Sequence, residues 1–222
     1  YFMRSEEILN GDNYHPRVLM QVFARDHVVV CGTDEVIALI RQCAFHPETI
    51  EIHSLRDGEE VDEWETVMTI EGDYADFAHL ETIYLGIMAR QSRIATNVRR
   101  VVKAANGKPV LFFPARYDIY QTQESDGYAA LVGGIHGFST DANALAAGGK
   151  GLGTIPHALI ASYKGDTVAA TEAFDKYVDP SIARIALVDF DNDCVNTSLA
   201  VARKLGKKLA GVRLDTSGSM VD

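Results

Sequence analysis

From residue 110 onward, short apolar segments alternate with segments of helical periodicity, and this alternation limits the fold more than any other feature of the chain. The apolar segments predict strands at 110–113, 153–155, 182–189 and 210–214. Helices are predicted at 127–132, 140–147, 166–177 and 192–205, with a further helix after Pro156. Strands joined by helical crossovers form a parallel sheet. Polar residues recur where these strands end, which favours a β/α barrel over an open doubly wound sheet.

Residues 1–109 follow a different pattern, which predicts a small α+β unit of antiparallel character. Strands are predicted at 18–23, 27–31, 50–55 and 66–70. Thr33 is expected to cap a helix over 34–43. Two long helices, at 76–88 and 94–105, are expected to bridge this unit to the β/α region. We therefore expect one domain at 1–109 and another at 110–222.

The composition excludes several classes of partner. The 222 residues carry a formal net charge of -10, and an acidic chain is repelled by nucleic-acid backbones and by anionic membranes. No apolar segment approaches the ~20 residues that span a bilayer, and no signal-peptide pattern opens the sequence. The three cysteines lack the spacing of a zinc site or a disulfide framework. We expect a cytoplasmic protein that binds anions only through loops and a few arginines.

The segment G-L-G-T-I-P-H-A-L at 151–159 is typical of a strand-to-helix turn, with Pro156 expected at the first helical position. The N–H groups at such a helix start are unpaired and attract anions. His157 lies there, and an imidazole that titrates near neutrality can shuttle a proton, bind a phosphate or accept a phosphoryl group. For a lone histidine in an apolar segment, the commoner outcome is a buried ring bonded to a backbone carbonyl.

Polar residues that follow the predicted strands would face one mouth of a barrel: Arg116, the Ser139-Thr140-Asp141 turn, His157, and Asp189 with Asp215. An arginine offers a fixed fork to a carboxylate or phosphate. Hydroxyl groups beside helix starts bind phosphate oxygens, and carboxylates accept ribose hydroxyls or stabilise positive charge. Together these residues suggest a site for a phosphorylated sugar with an anionic partner. Each also has a structural alternative, since Asp189, Thr140 and Asp141 are typical helix caps and Arg116 can be a solvated loop residue.

Four motifs, in this order, resemble those of nicotinate phosphoribosyltransferases in their shorter bacterial and archaeal form. They are F-x-x-R at 113–116, G-G-I-H-G-F-S-T at 133–140, G-T-I-P-H-A-L at 153–159 and R-L-D-T-S-G at 213–218. Y-F-M-R-S at 1–5 and D-F-A-H-L-E-T at 76–82 also resemble segments of that family. The resemblance covers essentially the whole chain. It implies a type II phosphoribosyltransferase, an α/β fold with an N-terminal α/β sandwich domain and an irregular, TIM-like β/α barrel.

The resemblance also implies that this barrel is partial. The family's glycine-rich loops for the 5-phosphate fall beyond residue 222, and so do the C-terminal strands of the barrel. We therefore expect the chain to be one piece of a longer protein, and we expect residues 1–222 alone not to close the barrel or to turn over.

The implied reaction joins nicotinate to 5-phosphoribosyl 1-pyrophosphate, with coupled ATP hydrolysis, to give nicotinate mononucleotide for NAD salvage. Loss of pyrophosphate from the ribose passes through an oxocarbenium-like state, so the site must stabilise positive charge on the sugar and negative charge on the leaving group. Mg²⁺ is expected on the pyrophosphate, and no residue is assigned to a metal. By resemblance, His157 is the histidine that ATP phosphorylates, and Asp189 and Asp215 lie near ribose and pyrophosphate as catalytic residues.

The resemblance implies substrate-binding roles for a further set of residues, namely Tyr1, Arg4, Arg116, Ser139, Thr140, Arg213, Ser217 and Gly218. Arg116 would hold the nicotinate carboxylate, with Ser139 and Thr140 nearby. Tyr1 would stack on the pyridine ring in the neighbouring subunit's site. A homodimer or higher homo-oligomer is therefore implied as the active unit.

Some features leave the substrate open. Many family members have two consecutive arginines where this chain has Arg116 and Tyr117, which lowers the positive charge at the carboxylate site. A quinolinate phosphoribosyltransferase shares the architecture but takes a dicarboxylate without ATP, and it requires several basic residues around the ligand. A nicotinamide-using relative and a non-catalytic barrel that binds a metabolite are further alternatives. A serine hydrolase is disfavoured because the Gly-x-Ser-x-Gly turn is absent.

Overall fold

The computed structural model describes residues 1–219, which form two compact units, one over Tyr1–Lys150 and one from Gly151 onward. The helices of the first unit are α1 (Phe2–Gly11), α2 (Thr33–Cys43), α3 (Tyr74–Phe77), α4 (Glu81–Ala104), α5 (Gln123–Gly133) and α6 (Asp141–Ala144). Its strands are β1 (Arg17–Phe23), β2 (Val28–Val29), β3 (Glu51–Ser54), β4 (Glu60–Val61), β5 (Thr66–Asp73), β6 (Leu111–Phe112) and β7 (Gly137–Phe138). The second unit contains α7 (His157–Ser162), α8 (Thr167–Tyr177), β8 (Arg184–Leu187), α9 (Cys194–Leu205) and β9 (Leu209–Arg213).

The boundary between the two units falls after Lys150 rather than near residue 109, because α5 packs against α4 and so keeps the first β/α elements in the N-terminal unit. The domain boundary expected between 1–109 and the partial barrel at 110–222 stays a prediction.

An antiparallel sheet of order β1-β5-β3 forms the centre of the first unit, in agreement with the antiparallel character predicted for this region. Its register pairs Arg17 with Asp73 and Glu51 with Glu71. The apolar side chains of α2, β5, α3 and α4 meet in one core, where the largest fully buried members include Val36, Ile40, Ile70, Phe77 and Tyr84. The strands β1 and β2 do not pair with each other, since β2 pairs antiparallel with β4 instead.

The start of α2 differs from the sequence expectation. The N-cap residue is Gly32, at φ 94°, and Thr33 is already helical. The carboxylate of Asp57 accepts hydrogen bonds from the N–H groups of Gly32 and Thr33 at 3.0 and 2.9 Å, and from the Thr33 hydroxyl at 2.7 Å. The expectation that Thr33 caps the helix was therefore wrong, because an acidic side chain distant in sequence supplies the acceptor.

The helix α4 is continuous over 24 residues, whereas two separate helices, at 76–88 and 94–105, were expected. The segment between the two predicted helices, Ala89 to Arg93, contains no glycine or proline, so nothing in it interrupts the backbone hydrogen bonds. Instead, α3 and a short 3₁₀ turn precede α4. Within residues 1–219, no helix combines the length and the apolar character that a bilayer span requires.

Parallel strand pairs occur in both units, as the β/α alternation predicts. In the first unit β6 pairs with β7, and in the second unit β8 pairs with β9. Both faces of β8 are covered, because Leu187 packs with Ile160 and Phe174 whereas Ala186 packs with Val201. Burial of both faces is typical of the parallel strands in β/α barrels. The strand predicted at 153–155 is absent from the described structure, where this segment is extended loop.

Candidate functional site

His157 and Asp189 form the central contact of the second unit. His157 is the first residue of α7, and Pro156, expected as the first helical residue, is the N-cap in an extended conformation. The Nε2 atom of His157 lies 3.1 Å from Oδ1 of Asp189. The Asp189 side chain is completely buried, whereas the His157 side chain is 42% exposed. A buried carboxylate therefore orients an imidazole that solvent and ligands can reach.

The other carboxylate oxygen of Asp189 joins the end of β8 to the end of β9. Oδ2 accepts hydrogen bonds from the backbone N–H of Asp215 at 2.6 Å and from the Thr216 hydroxyl at 2.9 Å. This geometry follows from the parallel pairing of β8 with β9, because the carboxyl ends of parallel neighbours lie side by side. The Asp215 side chain in turn pairs with Arg213 at 2.7 Å.

The environment keeps Asp189 ionised. Burial alone raises the pKa of this carboxyl, but the hydrogen bonds from the Asp215 N–H and the Thr216 hydroxyl, together with the His157 ring, outweigh burial and hold the pKa below its usual range. An ionised carboxylate can only accept hydrogen bonds, so the shared proton belongs to Nε2 of His157. In the uncharged form of the ring, the lone pair is then on Nδ1, for which no hydrogen bond is found within residues 1–219. This tautomer leaves Nδ1 as the nucleophilic nitrogen.

The predicted residues Arg116, Ser139 and Thr140 lie in the first unit, where β6 and β7 end. The backbone N–H of Ser139 donates to the carbonyl of Phe112 at 3.0 Å, which continues the parallel ladder beyond the strands. Arg116 is exposed in the short helical turn Ala115–Tyr117. The Ser139 Oγ is buried and has no hydrogen-bond partner among the described residues.

The Thr140 hydroxyl has a structural role. It is the N-cap of α6 and accepts the backbone N–H of Asn143 at 3.1 Å. It also lies 2.9 Å from Oε1 of Gln123. The helix-cap interpretation of Thr140 is therefore correct, whereas its implied ligand contact stays a prediction.

The remaining predicted residues are exposed. Tyr1 is 86% exposed, with its ring centroid 4.4 Å from that of Phe2, and Arg4 lies on the surface of α1. Ser217 follows β9, and its Oγ lies 2.9 Å from Oγ of Ser219. At Gly218 a Cβ atom would meet no other atom of the described residues within 4 Å.

The structure thus brings together His157, Asp189, Asp215 and Arg213 in one unit, and Arg116, Ser139 and Thr140 at one strand edge of the other. The alternative in which Asp189 caps the following helix is wrong, because Asp193 caps α9 by accepting the Asn196 N–H at 3.2 Å. Thr216, whose hydroxyl donates a hydrogen bond to Asp189, was not predicted from the sequence. The available signal was a hydroxyl residue directly after Asp215, close to the end of a predicted strand.

The described residues provide no direct cation site. Among residues 1–219, no group of three or more His, Cys, Asp and Glu side chains is arranged to hold a metal ion. Both oxygens of Asp189 already accept protein hydrogen bonds, and Asp215 pairs with Arg213. These side chains do not fit a resident metal.

Comparison with protein families and curated proteins points to phosphoribosyltransferases. A model of the quinolinate phosphoribosyl transferase N-terminal domain matches residues 4–92. Nicotinate phosphoribosyltransferase of Bacillus subtilis is 30% identical over 179 residues, which cover 74% of this chain and 34% of that protein. Nicotinate phosphoribosyltransferase pncB1 of Mycobacterium tuberculosis is 31% identical over 159 residues, which cover 68% of this chain and 34% of that protein. The chain therefore matches about a third of the length of these curated relatives.

Two solved structures share the architecture. The crystal structure of nicotinate-nucleotide pyrophosphorylase from Pyrococcus furiosus superposes with a TM-score of 0.90 at 37% identity, over 99% of this chain and 56% of that chain. Human nicotinic acid phosphoribosyltransferase superposes with a TM-score of 0.72 over 96% of this chain and 60% of that chain. At 15% identity, the human protein supports the fold alone. Both likenesses confirm the predicted α/β fold with an N-terminal domain and part of a β/α barrel.

Proposed function

The chain belongs to the type II phosphoribosyltransferase family, and from this premise we propose that its protein joins nicotinate to 5-phosphoribosyl 1-pyrophosphate, with ATP phosphorylating His157. The observation that carries the proposal is the 3.1 Å contact of His157 Nε2 with the buried carboxylate of Asp189. The contact rejects the alternative of a histidine satisfied by a backbone carbonyl. The contact orients an imidazole that is partly exposed, and a structural role alone does not explain this combination.

Phosphorylation takes place at Nδ1 of His157. The Nδ1 lone pair attacks the γ-phosphorus of ATP, the bond from that phosphorus to the bridging oxygen of ADP breaks, and ADP leaves with the electron pair. The Nε2 proton stays in its hydrogen bond to Asp189, whose negative charge stabilises the phosphorylated imidazole ring. Asp189 therefore acts as a positioning residue for His157, because its own oxygens are occupied by protein donors.

Asp215 is the carboxylate available to the ribose. Its side chain is 39% exposed and is paired with Arg213, so it can accept ribose hydroxyls or stabilise positive charge as the pyrophosphate leaves. Arg213, Ser217 and Gly218 lie in the same segment and are proposed to contact the phosphorylated sugar. Mg²⁺ enters with the pyrophosphate and neutralises part of its charge.

The nicotinate carboxylate is proposed to bind Arg116, with the unpaired Ser139 hydroxyl as a second donor. Thr140 lies beside it. Tyr1 and Arg4, both exposed on or next to α1, are proposed to act on the site of a neighbouring subunit, which makes a homodimer the smallest active unit. Both side chains are exposed in the single chain and are therefore accessible to a neighbouring subunit.

A quinolinate phosphoribosyltransferase is the second candidate, since the family model that matches residues 4–92 describes that enzyme's N-terminal domain. A dicarboxylate requires more positive charge than a monocarboxylate. Arg116 is the only lysine or arginine between residues 109 and 149. The local charge around Arg116 therefore favours nicotinate.

The test measures nucleotide formation by the full-length protein from phosphoribosyl pyrophosphate and Mg²⁺, with nicotinate, nicotinamide or quinolinate, with and without ATP. We expect product from nicotinate that ATP increases, and we expect ATP to have no effect in His157→Gln. His53→Gln, at an exposed strand position, is the matched control and should respond to ATP as the wild type does. Product from quinolinate alone would replace nicotinate by the second candidate, and no product from any base would reject both.

A further inference from the structure

A groove of about 800 Å³ in the first unit lies between the β1–β2 turn and one face of α4. Arg25 lines it from the turn, and Arg93, Asn97 and Arg100 line it from the helix. The three helical residues are four and then three positions apart, so they project from the same face of α4. The groove belongs to no part of the candidate site described above.

The arginines of the groove differ from the other basic residues of the same helix. Arg90 is paired with Asp126 at 2.7 Å. Arg99 and Lys103 pair with Glu60 at 3.1 and 3.2 Å. By contrast, in the part of the chain that the structure describes, no hydrogen bond or ion pair engages the guanidinium group of any of the three groove arginines. Three cations that are unpaired within residues 1–219 line one groove of a chain of net charge -10, and they provide binding positions for an anion that these residues do not supply.

The acidic groups that face the groove are few. Asp26 lines it beside Arg25, and it opposes three guanidinium groups with one carboxylate. His27 also lines the groove, but its ring is held by Asp62 at 2.9 Å and by Glu60 at 3.4 Å. The net charge of the lining is therefore positive.

Part of the groove lining is apolar. It includes Leu85, which is 40% exposed, Phe23, which is 39% exposed, and the buried residues Val22, Val67 and Met88. A groove with both an apolar part and several guanidinium groups matches a ligand with a flat ring and a chain of phosphates. Its volume is in the ordinary range of about 300–1,000 Å³ for small-molecule sites.

We propose that this groove binds a nucleotide, with the phosphates on Arg25, Arg93 and Arg100 and the base against Leu85 and Phe23. The inference rests on the first unit alone and holds whether or not His157 is phosphorylated. It assigns the chain a second nucleotide site outside the candidate catalytic residues.

The sole tryptophan provides the assay. The ring centroid of Trp64 lies 5.3 Å from that of Phe23, so a base that stacks on Phe23 changes the Trp64 fluorescence. The probes are ADP, inorganic pyrophosphate and adenosine, titrated into the chain without Mg²⁺. We expect ADP to bind more tightly than pyrophosphate, adenosine to bind weakly, and the ADP affinity to fall as salt is raised.

The double variant R93Q/R100Q should weaken ADP binding at least tenfold while its thermal unfolding stays as in the wild type, because neither guanidinium has a partner among the residues that the structure describes. The control R56Q/R203Q removes the same charge from two exposed positions outside the groove and should keep the affinity within twofold. An equal loss of ADP affinity in R93Q/R100Q and R56Q/R203Q would show that ADP is attracted only non-specifically by positive charge. That result would overturn the proposal.

Two further outcomes would also overturn it. Loss of the Trp64 signal in His157→Asn would place the ADP at the candidate catalytic residues rather than in the groove. Unchanged ADP binding in R93Q/R100Q, combined with a change in sedimentation, would show that this face of α4 contacts a second copy of the chain. Because the ADP titration requires no turnover, its failure leaves the proposed phosphoribosyl transfer untouched.

Discussion

Replacement of Asp189 by asparagine should reverse the tautomer of His157. The backbone N–H of Asp215, 2.6 Å from Oδ2, can only donate, so the amide oxygen of the new side chain must face it. The amide NH₂ group then faces His157 and forces Nε2 to accept a hydrogen bond. The imidazole proton moves to Nδ1, and the nitrogen that we propose as the phosphoryl acceptor loses its lone pair.

The size of the effect follows from these contacts. Hydrogen bonds to a charged group contribute about 1.5–3 kcal/mol and neutral ones about 1 kcal/mol, while removal of the buried charge offsets part of the difference. We therefore expect Asp189→Asn to lower the free energy of unfolding by only about 1–3 kcal/mol. Phosphorylation should fall far more, since the wrong histidine tautomer costs about 10⁴-fold in serine proteases. A loss of at least ~10³-fold is expected here.

Two measurements test this reasoning. Nitrogen–proton correlation spectra of histidine-labelled chain report the tautomer directly, and acid-labile phosphate transferred from ATP reports phosphorylation of the full-length protein. Asp193→Asn is the matched control because it makes the same change in charge at the α9 cap, where asparagine also caps well. If Asp189→Asn kept the proton on Nε2, or was phosphorylated at the wild-type rate, the proposed role of Asp189 would be refuted.

The same carboxylate makes stability depend on pH. Its pKa in the folded chain lies below the unfolded value of about 3.9, so its stabilisation is complete above that value and is lost as pH falls through the folded pKa. Acid titrations of chemical unfolding should show a smaller loss of stability below about pH 4 in Asp189→Asn than in the wild type. An identical acid dependence of the two proteins would contradict the hydrogen-bond pattern around Asp189.

Two further predictions concern packing and the helix start in the first unit. A Cβ atom at Gly127 would lie 2.0 Å from the backbone oxygen of Asn143, so Gly127→Ala should cost about 3 kcal/mol or more in urea unfolding, whereas Gly149→Ala, with open space around it, should cost less than about 1 kcal/mol. The Asp57 carboxylate accepts the Tyr128 hydroxyl at 2.8 Å besides capping α2, and burial together with this carboxylate raises the pKa of Tyr128. Asp57→Ala should therefore lower the free energy of unfolding by about 2–4 kcal/mol and lower the pKa of Tyr128 in a spectrophotometric titration; an unchanged tyrosine titration would contradict the contact.

Much of the fold was predictable because its signals are local. The alternation of apolar and helical segments identified the β/α region, and strand composition identified β1, β3 and β5. One error occurred where a group distant in sequence supplied the hydrogen-bond acceptor that a helix start requires. Thr33 has the composition of a helix cap, but Asp57 takes that role across 24 positions of sequence. The predicted break in α4 failed because periodicity marks the buried face and does not reveal whether a polar stretch stays helical.

The sequence by itself determined which groups are available: an imidazole after G-T-I-P, carboxylates beyond two apolar strands, and an arginine after F-x-x. Only the tertiary structure decided how they are used. Parallel pairing of β8 with β9 places Asp215 and Thr216 as donors to Asp189, and those donors leave Oδ1 to orient His157. Ionisation and tautomer depend on burial and on donors a few ångströms away, and these distances arise only when segments far apart in sequence pack together.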